Sequence, residues 1–517
     1  MLLSILAIVV GVAVIVIPLA VVGYPPMTDL PFHAAMTATL RHYNDPTYRF
    51  HEQFEWTPIA VPYLALYAVG AALMVVLPPL AAVKAAVALF LALVPIGLAV
   101  LCHGLKKSPL LGALGLLVVW GPLTHWGFIN FVGAIGLFAM TVGLALLTVD
   151  RPTTARRALL SAVLCALFFT HIFRFPIAIV AVLGVALVMA TSVRQVRSVL
   201  LPLLPPLALL AIWMVRRPPA LKAPMGPLTV HLSRLRELDC LTGSFDDPEE
   251  GRALFAAGLA IAAFLLLRAA APLLAPEAEP PSTTPGWRVR ATIVAAGAVL
   301  GSLLLYLVLP MQIGDWWYVY PREATTAVFL AFALVPDLPR APVMRAALMG
   351  LVLAAPIPTA LVVARNYAAF DAETRDFAAI TRSLPQAPRL LYLIFDHEGS
   401  TRRVSPFTHL PAWVQAEKGG WLSHHFTTYG ATPMRYRDRA GREDIIPPPT
   451  PPAWEWHPEA FDVLERGRFF DWFLVRASDS PAEIFAPDPS ITEARREGKW
   501  WLYARRAEDR REATHPP

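Results

Sequence analysis

Runs of about twenty apolar residues recur through the first two-thirds of the chain, and nothing else restricts its fold as strongly. A helix rises about 1.5 Å per residue, so such a run crosses a hydrocarbon core of about 30 Å. The runs fall at 2–22, 59–77, 84–102, 109–123, 128–148, 158–173, 175–191, 199–215, 253–272, 291–309, 324–340 and 344–363. Of the 517 residues 56% are hydrophobic and 16% charged, against about 25% charged in a soluble domain. The pattern predicts an α-helical multi-pass membrane bundle over residues 1–363, with about eleven to thirteen spans. The net charge of +6 does not point to nucleic acid. Lys and Arg sit in short clusters between the apolar runs, as the positive-inside rule expects, and form no stripe that could track phosphates.

Those clusters orient the bundle. Arg151, Arg156 and Arg157 flank one turn, Arg194 and Arg197 a second, Arg288 and Arg290 a third, Arg340 and Arg345 a fourth. With these turns cytoplasmic, the loops at 171–174, 216–252 and 310–323 face outward, and so does everything after residue 364. Residues 273–286 then form a cytoplasmic loop. The first segment has no charged start and no small-residue cleavage pattern, which predicts an uncleaved signal-anchor. It places the loop 23–57 outside. Cys102, Cys165 and Cys240 are too few and too scattered for a disulfide framework or a zinc site. Cys102 and Cys165 read as small hydrophobes.

Residues 364–506 differ in kind. Charge rises, and short apolar runs of strand character appear at 389–395, 471–477 and 499–505, with helical spacing at 412–419. This predicts a small extracytoplasmic α/β domain. Residues 445–456 form a proline-rich loop of polyproline type, and 507–517 a disordered tail.

Four stretches carry polar side chains where apolar ones prevail. In the outward loop, Asp29 and His33 stand at i and i+4, one helical turn apart on a shared face. Thr28 suits a cap, Pro31 a first turn, and an acid is favoured at a helix start. Asp29 is either a solvated loop acid or a general base held in a partly dry site, and His33 a positioning or substrate-contact residue. The second stretch, 124–131, holds His125, Trp126 and Asn130. The Trp reads as an interfacial anchor, whereas an amide inside a span needs a partner. In the third, 168–176, His171 and Arg174 separate two apolar pieces. An Arg at bilayer depth costs about 3 kcal/mol or more, so Arg174 faces protein, water or an anion, or snorkels outward. The fourth, 311–323, contains Asp315, Tyr320, Arg322 and Glu323. An Arg at a cavity mouth suits a phosphate clamp. His397, His409, His424 and His425 match no metal signature, and the last two read as a surface or packing pair. GxSxG, HExxH, Walker and Rossmann motifs are absent from the sequence.

The segments DLPFH, HWGFINF, THIFRF and YPRE, in this order along a proline-laden bundle with a C-terminal outer domain, resemble the GT-C superfamily of membrane glycosyltransferases. The resemblance extends over the layout of the whole chain and narrows to a bacterial GT-C-like branch. It implies a protein of the bacterial inner (cytoplasmic) membrane, and a sugar moved from a polyprenyl-phosphate-linked donor to an extracytoplasmic glycan, lipid or protein by an inverting hexosyl- or pentosyltransferase. Asp29 would be the catalytic acid of the first outer loop. His33, His125, Asn130, His171, Arg174, Tyr320 and Arg322 would contact the substrate, and membrane lipid would surround the bundle. The superfamily often carries an adjacent acidic pair there. Leu30 follows Asp29 instead, and a divalent metal stays an open alternative. Two other readings are a non-catalytic envelope scaffold and a transporter, although no internal repeat and few acids within the spans support the latter.

Overall fold

The computed structural model describes residues 1–57, 61–216, 228–237, 241–274, 286–314, 316–401, 403–429 and 432–508. Asp315, residues 217–227 and 238–240 of the 216–252 loop (Cys240 among them), residues 275–285 and the end of the tail lie outside the described residues.

Helix α1 (Leu2–Ala20) leads into a short turn and then α2 (Leu30–Arg41), the helix expected around His33. The long helices α3 (Pro79–Gly104) and α4 (Ile129–Asp150) follow, then α5 (Arg174–Met189), α6 (Pro321–Ala331) and α7 (Ile357–Glu373). Seven helices among the described residues are long and apolar enough to cross a membrane: α1, α3, α4, Val193–Arg216, Pro248–Ala271, Trp287–Val308 and Pro342–Glu373, the last ending in α7. Seven of the twelve apolar runs thus lie in these long helices. The other five apolar runs form shorter elements, and three of them show why. Residues 158–191 break where the backbone turns at His171, with its extended φ/ψ, before α5 restarts at Arg174. Run 109–123 is a tight 3-10 helix, Pro109–Val118, laid flush on α3. A Cβ at Gly115 would stand 3.0 Å from Pro95 Cα.

The centre of the bundle is α4, 89% buried over its apolar window against 22% for α1. Its contact with α3 is backbone on backbone. Gly97 and Gly104 of α3 meet Gly136 and Gly143 of α4, each pair seven residues apart, and a Cβ on Gly104 would lie 2.7 Å from the Gly143 carbonyl oxygen. Lipid chains are as apolar as Leu, so such close packing of small residues is what holds membrane helices together.

The C-terminal domain is built on a five-stranded sheet of order β3-β2-β5-β7-β6. Strands β2 (Arg389–Ile394), β5 (Trp472–Arg476) and β7 (Trp500–Arg505) match the three expected runs. Two strands escape the sequence pattern. The short β3 (Trp421–Leu422) pairs in parallel with β2, and β6 (Ile491–Glu497) is an exposed charged edge strand whose composition resists pairing with other chains. The expected helix is α8 (Ala412–Lys418). Helix α7 runs unbroken across residue 363, so bundle and sheet domain share a continuous rod.

The loop 23–57 binds the sheet domain along its length. Its strand β1 (Phe54–Trp56) pairs antiparallel with β4 (Met434–Tyr436). Gln53 Nε2 donates to the Gly420 carbonyl at 2.8 Å, Gly23 N–H to Asp371 Oδ1 at 2.6 Å, and Tyr24 O–H to Glu417 at 3.1 Å. Loop and sheet domain thus lie on one side of the bundle.

A Gly136→Val substitution should force α3 and α4 apart. Overpacking of this kind costs about 1–3 kcal/mol or more, read as a lower melting temperature of the detergent-solubilised protein. An unchanged melt would contradict the backbone contact.

Candidate active site

Thr28 and Asp29 precede α2, and their backbone N–H groups are tied to the turn His125–Gly127. Thr28 N–H donates to the His125 carbonyl at 3.0 Å and Asp29 N–H to the Trp126 carbonyl at 3.1 Å. Gly127 makes this approach possible. Its φ is +85°, and a Cβ there would lie 2.7 Å from the Asp29 nitrogen. The acid is therefore set by the two peptide groups beneath it as well as by the helix start.

Asp29 opens on a cavity of about 540 Å3, within the usual range for a small-molecule site. His33, Asn130, His171 and Arg322 line the same cavity. Its walls are aromatic: Tyr63, Tyr67, Phe128, Phe131 and four tryptophans, Trp126, Trp316, Trp317 and Trp456. Trp126, read from sequence as a membrane anchor, faces this space and packs edge-on against Trp317 at 5.0 Å.

The cationic side of the cavity is Arg322. Its Nε donates to the Tyr318 carbonyl at 3.0 Å, its Nη2 to the Trp317 carbonyl at 2.9 Å, and its face stacks on Phe128 at 4.1 Å. Nη1 lies 3.3 Å from His171 Nε2. A guanidinium only donates, so His171 Nε2 accepts and the ring proton sits on Nδ1. Among the described residues no carboxylate forms an ion pair with Arg322, which leaves its charge facing the cavity. Asn130 Oδ1 is likewise buried with no hydrogen-bond partner among the described residues.

Three candidates from the sequence stand elsewhere. Arg174 is fully buried, donating to Glu323 Oε1 at 2.7 Å and to Thr326 Oγ1 at 3.0 Å, and does not line the cavity. An internal carboxylate removes the need for an anionic ligand that bilayer depth suggested. His125 is enclosed by Trp120, Phe245 and Tyr367 and contributes its carbonyl, not its ring. Tyr320 lies under Arg234, whose guanidinium is 3.8 Å from the ring centroid.

Sequence reasoning missed the third wall, which the C-terminal domain supplies. His409 Nδ1 lies 3.2 Å from Asp29 Oδ1 and 3.1 Å from the Thr28 carbonyl. Its Nε2 lies 3.2 Å from Glu455 Oε2, and Glu455 Oε1 is 3.2 Å from His424 Nδ1. Phe32 of α2 packs on the His409 ring at 4.1 Å. Burial opposes charge on His409, yet the Glu455 and Asp29 carboxylates push it up to about 9. Glu455 sits below the ordinary carboxylate range, because the pull of His409 outweighs its burial. Burial pulls His424 and His33 down to about 4, so both are neutral at pH 7. His33 Nδ1 faces the Tyr67 hydroxyl at 3.0 Å. His424 and His425 are buried, not a surface pair. One sequence signal was there: an acid between two tryptophans, Trp454-Glu455-Trp456, in a rigid proline-rich loop. Part of that loop, Pro452–Glu455, is a 3-10 turn rather than polyproline.

The donor set does not fit a divalent cation. Both carboxylates of the site, Asp29 and Glu455, are engaged by His409, whose two nitrogens point at them as donors. Among the described residues no three His, Cys, Asp or Glu side chains form a metal-holding group.

The Arg174–Glu323 pair predicts a purely structural penalty. Glu323→Gln leaves a buried guanidinium poorly compensated and should cost about 3–5 kcal/mol, seen as loss of monodisperse protein. The double variant Arg174→Met/Glu323→Leu should recover most of it. A stable Glu323→Gln protein would return Arg174 to the substrate-contact candidates.

No protein-family profile matches the sequence, and neither does any curated protein. The chain is similar to two crystal structures of ArnT from Cupriavidus metallidurans. One is in the apo state, with a TM-score of 0.49 at 14% identity, and covers 99% of this chain and 99% of that one. The other, bound to undecaprenyl phosphate, has a TM-score of 0.47 at 14% identity with the same coverage.

Proposed function

We propose that the protein transfers a sugar from a polyprenyl-phosphate-linked donor to an extracytoplasmic glycan, lipid or protein acceptor. In this reading it lies in the bacterial inner membrane with its C-terminal domain outside. The observation that carries the reading is that Asp29 and the guanidinium of Arg322, which has no ion pair among the described residues, line one aromatic-walled cavity beside the bundle. A glycosyl transfer of this class needs a base near the acceptor hydroxyl and a cation near the departing phosphate.

The roles follow from donors and acceptors. The Asp29 carboxylate takes the proton from the acceptor hydroxyl as its oxygen bonds to the anomeric carbon. The bond from that carbon to the phosphate oxygen breaks, and the electron pair leaves with the polyprenyl phosphate. A single displacement of this kind inverts the anomeric centre. Arg322 meets the phosphate through charge-assisted hydrogen bonds, which strengthen as negative charge develops on it. His171 orients the guanidinium and Phe128 supports its face. The tryptophans present flat apolar surfaces to a sugar ring, and Asn130 Oδ1 accepts from a hydroxyl. The apolar flank of the bundle carries the lipid tail.

Asp29→Asn should keep membrane insertion and lower transfer by about 10²–10⁴-fold. Arg322→Ala should weaken donor use to a similar degree. The measurement is sugar transfer from lipid-linked donors by the purified full chain, with glycan and lipid-linked-sugar profiles of the host. If a deletion alters those profiles while Asp29→Asn reproduces the wild type, Asp29 is not the base. If the deletion alters none, glycosyl transfer is the wrong activity.

A further inference from the structure

The two acids of the cavity come from segments far apart in the chain, and both are pointed at one imidazole. Nδ1 of His409 faces two oxygens, Asp29 Oδ1 at 3.2 Å and the Thr28 carbonyl at 3.1 Å. Nε2 faces a third, Glu455 Oε2, at 3.2 Å. A neutral imidazole has one donor and one acceptor nitrogen, so one of these contacts would set a lone pair against a carboxylate. With both acids as carboxylates, only the imidazolium satisfies all three.

We propose that the His409 imidazolium is the resident cation of the reaction centre, standing between Asp29 and Glu455 where a divalent metal would otherwise be needed, with Glu455 and His424 as positioning residues for it. This rests on the glycosyl-transfer reading and adds what balances the charge of that site. The groups facing His409 from every side agree. Asp29 and the neutral His33 approach from the loop helix. Glu455, the neutral His424 behind it and His397 approach from the C-terminal domain, and burial holds the last below its ordinary range. Phe32 covers one face of the ring at 4.1 Å.

Three consequences follow for the chemistry. Asp29 is fixed in direction by the His409 N–H at 3.2 Å, as a base must be before it takes a proton. The second acid, missing from the position after Asp29 in the sequence, is provided by Glu455 from the far end of the chain. The site is also complete only while the C-terminal domain is docked, because His409 and Glu455 both belong to it.

The linkage has a definite sign. The folded pKa of His409 lies above the value of about 6.5 for a free histidine, so its contribution is fully present below that pH. It is lost as pH rises through about 9. Two measurements on the purified full chain test this. The first is melting temperature against pH, without any substrate, for wild type and His409→Gln. The difference between them should be present at pH 7 and disappear above about pH 9. A difference that persists unchanged at alkaline pH would overturn the proposal. So would a stabilising shift of the wild type by millimolar Mg2+ or Mn2+, since a cation would then have room between the acids.

The second is the pH profile of transfer with and without chelator. Transfer should be indifferent to EDTA, and Glu455→Gln should move its alkaline limb to lower pH by about one unit or more, because His409 loses a partner that holds its proton. His409→Lys, which keeps the charge, should retain more activity than His409→Gln. Loss of transfer in EDTA with recovery in Mg2+ overturns the proposal, and so does a limb that only drops in height. A wild type inactive with every lipid-linked donor removes the glycosyl-transfer reading instead, and the melting experiment still decides the charge on His409.

Discussion

Two carboxylates and one imidazolium hold the working part of this molecule together. Asp29 belongs to the first loop and Glu455 to the C-terminal domain. Without a cation between them, docking would bring like charges together in a dry space, at a cost that grows as water leaves. With His409 in place, the same approach becomes attractive. Docking of the domain and formation of the cavity are therefore one event, backed by the β1–β4 pairing and the hydrogen bonds of Gly23, Tyr24 and Gln53.

The bundle places the other charges by a similar economy. Arg322 and Glu323 are neighbours on α6, and a helix turns about 100° between successive residues. One side chain therefore reaches the cavity while the other points into the bundle. There Glu323 neutralises Arg174, so that the only guanidinium of the pair left facing the cavity is Arg322. Arg174 and Glu323 are buried in this core, which makes their pairing necessary, while Arg322 turns its charge to the cavity.

Much of the plan was legible beforehand, for local reasons. The helix around His33 follows from its turn chemistry, and Asp29 and Arg322 stand out as charges beside apolar runs. Strands β2, β5 and β7 show as short apolar runs because they are buried on both faces. The break at His171 showed in the sequence as a polar turn between two apolar runs, whereas hydropathy registers that 109–118 is apolar and not that it winds into a 3-10 helix. Arg174 looked like a ligand for an anion because its partner lies 149 residues away. Trp126 looked like an anchor because belt and cavity tryptophans have the same sequence surroundings.

The amino-acid sequence by itself determined a membrane bundle with an α/β domain appended, since those outcomes depend on periodicity and apolar length within a window. It also determined that an acid would start a short helix after the first span. Which histidine meets that acid was decided only by the tertiary structure. The contact joins residues 380 positions apart, and no local pattern distinguishes His409 from His397 or His425. The same holds for Gly127, whose need shows only once the Asp29 backbone is seen 2.7 Å from where its Cβ would be. Charge pairing in a dry site is a property of distance in space, and distance in space is what the linear chain does not carry.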